Sequence, residues 1–415
     1  MKIALAQQNY HIGNFENNVG KIINGIRKAR EEGAELVVFS ELSVCGYPPR
    51  DFLEFSDFIA KCYQGIEDIK PLTDEIAVII GVPQKNPQIE GKDLFNSAVM
   101  IYKREVIGVA NKTLLPTYDI FDEYRYFEPA MDWNVIEFKG KKIALTICED
   151  IWNIGDNPLY VACPMDSLIK QSPDLMINIS ASPFDYDHDE DRKEVIRANA
   201  VKYKLPLFYC NAIGSQTEVV FDGGSLVFDR HGNIRKELKY FEEDFAVIEW
   251  DEAAWDTSSP QQDASRGMQI LNGGGLEMEQ RVSRLQDPEK IIEFLTDDNN
   301  IHQIKQALIL GIRDYFQKMG FKKAVLGSSG GVDSAVVLAL ACEALGAGNV
   351  KAVLMPSEYS TGHSVSDAEE LSKNLENPYE IIAIADIYQS FLKALKPAFK
   401  DLPFSVAEEN LQSRI

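Results

Sequence analysis

The sequence has no apolar run of the ~18–20 residues that a membrane-spanning helix requires. Its first ten residues, MKIALAQQNY, bring in polar side chains too early for the apolar core of a secretory signal peptide. We therefore expect neither a membrane span nor export, and we expect a cytoplasmic protein.

Basic side chains are in deficit. The 42 lysines and arginines stand against 64 aspartates and glutamates, which gives a formal net charge of -22 at pH 7. A protein that binds duplex nucleic acid neutralises phosphates with an excess of lysine and arginine. The charge balance therefore argues against nucleic acid as a partner, and against an anionic membrane surface for the same reason.

Cysteine and histidine are also scarce. None of the six cysteines forms a C-x-x-C pair or a metal-ligand spacing, so we expect reduced thiols in a cytoplasmic protein. The five histidines include none in a recognisable setting for a serine or papain-like hydrolase. The cysteines are Cys45, Cys62, Cys148, Cys163, Cys210 and Cys342.

The length of 415 residues allows two or three domains. Residues 1–250 alternate β-rich runs with amphipathic helix patterns, which predicts an α/β layered domain. Residues 251–298, rich in Asp, Gln, Ser and Gly, are typical of a connector. Residues 299–415 contain a β–loop–α–β unit, which predicts the start of a parallel sheet.

Apolar periodicity predicts a first set of elements. Strands are predicted at 2–7, 35–39, 76–82, 97–102, 106–110, 142–148, 175–179, 207–211, 225–228, 245–250, 324–326 and 350–355. Helices are predicted near 19–29, 56–69, 157–170, 189–203, 304–319 and 333–345.

Three side chains in the first domain are candidates for chemistry at strand ends. Glu41 follows one apolar strand, Lys112 follows another, and Cys148 closes a third. Ligand sites of α/β sheets lie at strand ends, and thiol acyl transfer needs a nucleophile, a base and a group that holds the oxyanion. Taken singly, each residue has an ordinary explanation: a solvated surface charge for Glu41 or Lys112, and a small packed side chain for Cys148.

The strings around these residues are more specific. Glu41 begins E-L-x-x-x-G-Y-P, Lys112 lies in N-K-x-x-L-P-x-Y, and Cys148 lies in I-C-E-D. Over residues 1–250 the chain resembles the carbon–nitrogen hydrolase (nitrilase) superfamily, whose site is a Glu–Lys–Cys triad. The resemblance implies a nitrilase-like α-β-β-α sandwich in which Glu41 is the general base, Lys112 stabilises the oxyanion and Cys148 forms a thioester as ammonia leaves. Glu123 matches the family's second glutamate.

A glycine-rich loop, L-G-S-S-G-G-V-D-S from Leu326 to Ser334, joins a predicted strand to a predicted helix. Its backbone N–H groups, the helix N-terminus and the hydroxyls of Ser329 and Ser334 are suited to phosphate oxygens. Asp333 would repel a phosphate unless Mg²⁺ lies between them, so it is also a candidate metal ligand. The loop lacks the G-K-[ST] of a Walker motif. On these residues alone, a plain glycine-rich helix cap is the alternative.

The string S-G-G-x-D-S resembles the PP-loop ATP pyrophosphatases, which cleave ATP between the α and β phosphates. The strand before Met355 and the E-N-x-Q-x-R string from Glu409 to Arg414 narrow the resemblance to the NAD synthetases. It implies a Rossmann-type parallel sheet, of the adenine nucleotide alpha-hydrolase-like kind and incomplete at its C-terminus, and contacts with deamido-NAD from Asn410 and Arg414. The residues implied to contact ATP are Ser329, Gly330, Gly331, Asp333, Ser334 and Met355.

A nitrilase-type amidase followed by a PP-loop domain resembles the glutamine-dependent NAD synthetases as a family. The resemblance implies that the first domain hydrolyses glutamine and that ammonia is channelled to adenylated deamido-NAD, giving NAD, AMP and pyrophosphate. It implies ATP as a substrate with Mg²⁺, no tightly bound organic cofactor, and a homo-oligomer. The positions that match the glutamine contacts of this branch are Tyr118, Glu149, Ser182 and, where some relatives place an arginine, His188.

Two other interpretations stay open on the sequence. A stand-alone amidase with a non-functional partial PP-loop domain would hydrolyse amides without responding to ATP or deamido-NAD. A non-enzymatic scaffold would carry an unreactive Cys148, although Glu41 and Lys112 argue against it. The synthetase domain of the family continues well beyond the segment 299–415. We therefore expect a truncated form of a longer enzyme, unable to make NAD by itself, rather than a natural fragment with glutaminase activity alone.

Overall fold

In the computed structural model the chain divides into two units, Met1–Ala307 and Leu308–Ile415. The residues that the structure does not describe are 119, 155–159, 187–188, 217, 257–291, 293–295, 358–359, 361, 401–402, 404 and 412–413. Most of the predicted connector, 251–298, and the candidate residue His188 therefore lie outside the described residues. Among the described residues, no helix is both long enough and apolar enough to cross a membrane.

Two six-stranded sheets form the centre of the first unit. Its strands are β1 (Lys2–Gln7), β2 (Leu36–Val38), β3 (Ala77–Lys85), β4 (Leu94–Tyr102), β5 (Glu105–Asn111), β6 (Ile136–Phe138), β7 (Lys141–Ile147), β8 (Leu175–Ser180), β9 (Leu207–Asn211), β10 (Ile213–Gln216), β11 (Val219–Asp222), β12 (Leu226–Phe228), β13 (Ile234–Glu237) and β14 (Asp244–Glu249). One sheet has the order β14-β1-β2-β3-β4-β5 and the other the order β13-β12-β9-β8-β7-β6, while β10 and β11 pair separately.

Helices cover the outer face of each sheet. The described helices of this unit are α1 (Phe15–Glu31), α2 (Ser56–Ile69), α3 (Pro164–Leu168), α4 (Asp189–Tyr203) and α5 (Glu252–Asp256). On β1, Ala4 and Ala6 pack in a cluster with Ile22 and Ile26 of α1. A matching cluster on the second sheet combines β8 and β9 with Val195 of α4.

The opposite faces of the two sheets meet each other. Ile3 and Leu5 of β1 belong to one buried cluster with Leu145 of β7 and Ile177 of β8. Strands buried on both faces show continuous apolar runs rather than alternation, which is why the strand at 2–7 is recognisable in the sequence. The layers are helix, sheet, sheet and helix, so the predicted α-β-β-α sandwich is confirmed.

The parallel strands bring several chain segments to the same sheet edges. β1, β2 and β3 run parallel in the first sheet, and β7, β8 and β9 run parallel in the second. The carboxyl ends of neighbouring parallel strands lie side by side. The segments that follow β2, β7 and β8 carry the candidate residues Glu41, Cys148 and Ser182.

The second unit contains a three-stranded parallel sheet. Its described elements, with the helix in which the division between units falls, are α6 (Asp298–Met319), β15 (Ala324–Gly327), α7 (Val332–Leu345), β16 (Val350–Leu354), α8 (Gly362–Leu375), β17 (Tyr379–Ile381), α9 (Ala385–Phe399) and α10 (Val406–Leu411). The sheet has the order β15-β16-β17, and Val350, Ala352 and Leu354 pack against Leu338 of α7 and Ala368 of α8. This β–loop–α–β start of a parallel sheet agrees with the predicted Rossmann-type class.

Several predicted elements were wrong in extent. Instead of a helix over 157–170, the described part of that range has only α3 followed by a 3-10 turn at Ile169–Gln171. Pro164 favours a helix start at its own position and disfavours helical backbone at the residue before it, and Cys163 is extended. The periodicity also missed β13, because its residues are all exposed and polar or charged after Ile234.

Candidate active site

Cys148 lies in a sharp turn directly after β7. The strand ends at Ile147, and Cys148 begins a 3-10 turn, Cys148–Ile151, with a left-handed φ of 43°. The predicted strand 142–148 was therefore one residue too long, because left-handed backbone cannot continue a strand. A non-glycine residue in this conformation is uncommon and is held by its surroundings.

Asp150 holds this turn in place. One of its carboxylate oxygens accepts hydrogen bonds from the backbone N–H groups of Thr113 and Leu114, each at 2.9 Å, and the other accepts one from Ile147 at 3.1 Å. Burial raises the pKa of Asp150 to about 6, against the opposing effect of these donors. The carboxylate thereby joins the turn at Cys148 to the segment that follows Lys112.

Lys112 is buried between two carboxylates. Its Nζ lies 2.8 Å from Oε1 of Glu41 and 2.7 Å from Oε1 of Glu123, and the side chain has no exposed surface. The hydroxyl of Tyr47 donates to the same oxygen of Glu123 at 2.7 Å. The structure therefore brings Glu41 to Lys112 across 71 positions and Glu123 to the same ammonium group across 11 positions, and all three residues were singled out in the sequence.

Both oxygens of Glu41 are oriented by donors. Asn96 donates from Nδ2 to Oε1 at 2.7 Å, and the backbone N–H of Ala181 donates to Oε2 at 3.0 Å. Glu41 and Asn96 are both buried. A candidate base held by this many donors has one defined orientation, as a positioned proton acceptor requires.

The charges of this cluster act on Cys148. Burial raises the pKa of the Cys148 thiol well above its usual value, Glu41 raises it further, and Lys112 opposes the rise. The thiol is therefore protonated near neutral pH, and the sulfur needs a base before it can attack.

Lys112 keeps its charge in spite of its burial. Burial lowers its pKa, but Glu123 and Glu41 outweigh that effect and hold the pKa well above the usual range. Burial raises the pKa of Glu123 to about 7, while Lys112 lowers it. The ammonium group is thus a permanent positive charge at the site.

Glu149, next in sequence to the cysteine, has a different environment. Its carboxylate accepts hydrogen bonds at 3.1 Å from the hydroxyls of Tyr118 and Tyr160. Tyr118 and Glu149 both interact electrostatically with the Cys148 thiol. Ser182 is buried after β8, where its backbone N–H donates to Oδ1 of Asn211 at 2.9 Å.

The glycine-rich loop of the second unit is closed by serine hydroxyls. The Oγ atoms of Ser329 and Ser334 are 3.1 Å apart, the N–H of Gly331 donates to Oγ of Ser329 at 3.2 Å, and Oγ of Ser334 donates to the carbonyl of Gly331 at 3.0 Å. Gly330 has a φ of 79°, and a Cβ there would lie 2.1 Å from the carbonyl oxygen of Ser364. The loop therefore requires glycine at position 330.

Four further candidates of this unit lie at the start of α7, after β16 and at or beyond the end of α10. Asp333 is exposed in the first turn of α7, and Met355 follows β16, with its Cε 3.1 Å from a Cβ placed on Gly327. Asn410 is at the exposed end of α10 and Arg414 lies beyond that helix. Among the described residues, the hydrogen bonds of the loop join Ser329, Gly331 and Ser334 to one another, and none of these bonds reaches Asn410 or Arg414.

Some residues of the first site were missed in the sequence. Tyr47 and Asp150 lie inside the strings around Glu41 and Cys148, so those strings carried a signal for them. Asn96 and Tyr160 have no comparable local signal, because only the folding of distant strands and loops brings them to the site. The other five cysteines are free in the structure; Cys45, Cys62, Cys210 and Cys342 are buried, and Cys163 is half-buried.

Fold and site together define a carbon–nitrogen hydrolase joined to an NAD synthase domain. A sequence model of the carbon-nitrogen hydrolase family matches residues 2–257, and one of the NAD synthase family matches residues 304–415. The glutamine-dependent NAD(+) synthetase of Synechocystis sp. is 38% identical over 420 aligned residues, which cover all of this chain and 70% of the relative. That of Thermotoga maritima is 35% identical with the same coverage. The chain belongs to the glutamine-dependent NAD(+) synthetases.

Solved structures agree with this assignment. The glutamine-dependent NAD+ synthetase of Acinetobacter baumannii, in complex with adenosine diphosphate, matches with a TM-score of 0.82 and 31% identity over the whole chain and 70% of that protein. An amidase from Nesterenkonia sp. matches 65% of this chain and 96% of its own with a TM-score of 0.53 and 21% identity, which shows a shared fold. Two matched families favour a synthetase over the stand-alone amidase considered above.

Proposed function

We propose that the first unit hydrolyses glutamine through Cys148, Glu41 and Lys112, and that the ammonia is used to convert adenylated deamido-NAD into NAD. The observation that carries the proposal is the buried ammonium of Lys112, which is bonded to both Glu41 and Glu123 and interacts electrostatically with the Cys148 thiol. Removing a lysine and its two carboxylate partners from water is costly, and groups with such strongly shifted pKa values cluster at functional sites.

The first half of the hydrolysis follows from this geometry. Glu41 accepts the thiol proton, and the sulfur of Cys148 attacks the carboxamide carbon of glutamine. The negative charge that forms on the amide oxygen is stabilised by Lys112 and by the backbone N–H of Glu149, because the first N–H groups of a 3-10 turn lack acceptors inside the turn. The C–N bond then breaks as Glu41 returns the proton to nitrogen. Ammonia departs, and a thioester remains on Cys148.

The second half uses the same base. Glu41 takes a proton from water, and the hydroxide oxygen adds to the thioester carbon. The C–S bond then breaks and Glu41 returns the proton to the sulfur, which gives glutamate and the thiol. Glu123 does not need to exchange protons in either half. Its role is to hold Lys112, which it contacts at 2.7 Å, against the oxyanion position.

We infer that the amino-acid part of glutamine binds at Glu149. A carboxylate that is buried and bonded to hydroxyls is suited to the α-ammonium group of the substrate. Tyr118 and Ser182 complete the proposed glutamine contacts, together with His188, which lies outside the described residues.

For the second unit we propose that the loop from Ser329 to Ser334 binds the phosphates of ATP. Support comes from its paired hydroxyls, its left-handed glycine and the N-terminus of α7, and the related structure from Acinetobacter baumannii contains adenosine diphosphate. Met355 is proposed to contact adenine. The proposed contacts with deamido-NAD are Asn410 and Arg414.

Mg²⁺ fits the residues at this loop. Asp333 is exposed and precedes Ser334, whose hydroxyl lies 3.1 Å from that of Ser329. Oxygen donors of this kind are those that Mg²⁺ prefers when it bridges to phosphates. When bound there, Mg²⁺ would neutralise phosphate charge, and Asp333 would be its protein ligand. The segments 1–250, 251–298 and 299–415, a homo-oligomeric state and a cytoplasmic location are part of the same proposal.

The test is ammonia release from glutamine by the wild type and by Cys148→Ala, each with and without ATP plus deamido-NAD. We expect activity in the wild type that responds to the two nucleotides, and none in the variant. Equal activity of the variant would exclude the thiol mechanism. Wild-type activity that ignores both nucleotides would instead favour an amidase that works alone.

A further inference from the structure

The Glu149 carboxylate is held by two tyrosines from different segments. Tyr118 donates to both oxygens and Tyr160 donates to Oε1, all at 3.1 Å. Within the described part of the chain, no lysine or arginine pairs with Glu149, which is 7% exposed. A carboxylate has about four acceptor sites, so two hydroxyl hydrogens orient it and leave room for a cationic ligand.

A buried amide fixes the position of Tyr160. Asn153, 7% exposed, accepts from the backbone N–H of Tyr160 at 3.0 Å and donates from Nδ2 to the carbonyls of Tyr160 at 2.8 Å and Ala162 at 2.7 Å. These three bonds hold the backbone on both sides of the Tyr160 peptide group. The hydroxyl is therefore presented to Glu149 by a fixed segment.

We propose that Tyr160, held by Asn153, is a positioning residue that orients Glu149 toward the α-ammonium group of glutamine. It thereby sets the preference of the site for an amino-acid amide over amides that lack this group. The proposal rests on the proposed function, because it needs glutamine as the substrate and Glu149 as its ammonium contact.

The geometry separates two kinds of amide. Glutamine carries its α-ammonium several bonds from the carboxamide, so a misplaced Glu149 weakens binding without removing any group that contacts the reacting carbon. An amide without the ammonium gains nothing from the orientation of Glu149. Removal of the Tyr160 hydroxyl should therefore lower kcat/KM for glutamine alone, mainly by raising KM.

The experiment compares Tyr160→Phe with the wild type on glutamine and on 4-carbamoylbutanoate, which is glutamine without its amino group. We expect kcat/KM for glutamine to fall about tenfold through KM, the low end of what one hydrogen bond to a charged group contributes, and kcat/KM for the analogue to change less than about twofold. Tyr240→Phe is the matched control, since the Tyr240 hydroxyl donates to the exposed Glu237 at 2.8 Å. We expect Tyr240→Phe to leave kcat/KM unchanged for both substrates.

A pH profile gives a second reading. Burial raises the pKa of Glu149, and the hydrogen bonds from Tyr160 and Tyr118 oppose that rise. Without the Tyr160 hydroxyl the pKa of Glu149 rises further. The acid limb of kcat/KM for glutamine should then move to higher pH in Tyr160→Phe, and the limb for the analogue should not move. If Tyr160 served folding alone, its replacement would lower kcat/KM equally for both substrates and would leave the acid limbs of both pH profiles in place.

Asn153→Asp keeps the acceptor and loses the two donors, so we expect KM for glutamine to rise in the same direction. An unchanged KM in this variant would overturn the role of Asn153. Equal losses on both substrates in Tyr160→Phe, or no loss on either, would overturn the inference while the wild-type glutaminase activity stands. A wild type that releases no ammonia from glutamine would overturn the proposed function and this inference together.

Discussion

The two candidate sites are built in opposite ways. In the first unit the charged groups are buried and bonded to each other, and Lys112 has no exposed surface between Glu41 and Glu123. In the second unit the loop around Ser329 and Asp333 is exposed, and its bonds join hydroxyls and backbone groups. Buried charges must be paired by the protein itself, whereas the exposed neutral donors of such a loop are suited to a charged group supplied by the proposed ligand.

The backbone shows the same contrast. Each site has a residue with a left-handed φ, 43° at Cys148 and 79° at Gly330. At Cys148 the proposed chemistry needs a side chain, and Asp150 holds the unfavourable conformation with its hydrogen bonds. At Gly330 no side chain is needed, so glycine adopts the conformation without strain. The left-handed conformation of the first site therefore depends on hydrogen bonds from neighbouring residues, and that of the second site depends on the presence of glycine.

The largest expected effect comes from Lys112→Met. Loss of the buried cation leaves two carboxylates facing each other, which we expect to destabilise the first unit by about 3–5 kcal/mol. Loss of the oxyanion partner should also reduce glutamine hydrolysis by about 10²–10³-fold. Urea unfolding and ammonia release measure the two effects. A destabilisation below about 1 kcal/mol would mean that the cluster does not depend on its ion pairs.

The pH dependence of stability tests the pairing of Glu123. Its pKa is about 7 in the fold against 4.5 ordinarily, so the folded state binds more protons between those values and stability falls as pH rises through that window. The slope is at most about 1.4 kcal/mol per pH unit for one proton. Glu123→Gln should remove this contribution, so its stability should be flatter than that of the wild type between pH 4.5 and 7. Parallel curves would contradict the raised pKa.

Gly330→Ala tests whether the second site depends on residue type. The added Cβ would meet a backbone carbonyl at 2.1 Å in a left-handed conformation, so we expect the loop to shift and ADP to bind about tenfold more weakly, since such backbone strain costs roughly 1–2 kcal/mol. Titration calorimetry measures the affinity. Gly348→Ala is the control, because a Cβ there has no heavy atom within 4 Å, and it should bind ADP as the wild type does.

The smallest effect is expected from Lys351→Met, the exposed counterpart of Lys112→Met. Lys351 pairs with Glu380 on the surface of the second unit, where the two side chains are 44% and 52% exposed. Exposed pairs contribute about 0–1 kcal/mol, so the free energy of unfolding should change by less than about 1 kcal/mol. A change comparable with that of Lys112→Met would remove the contrast between buried and exposed charge.

Local patterns were enough to predict most of the strands and the glycine-rich loop. Runs such as Leu36–Val38 and Leu207–Asn211 are apolar because both faces of the strand are buried, and the S-G-G-x-D-S string predicted the loop before α7. The exposed strand β13 and the short helix α3 were not predicted correctly, because neither has the apolar period of a buried element.

The sequence by itself determined the layered α/β class and the family, because strand period, glycine positions and short strings are local properties. It also singled out Glu41, Lys112 and Cys148 as candidates. Only the tertiary structure decided their partners: Asn96 reaches Glu41 across 55 positions and Ala181 across 140, and Tyr160 reaches Glu149 across 11. Hydrogen bonds require donor and acceptor within about 3 Å, and stacked sheets, rather than neighbouring positions in the chain, provide that proximity.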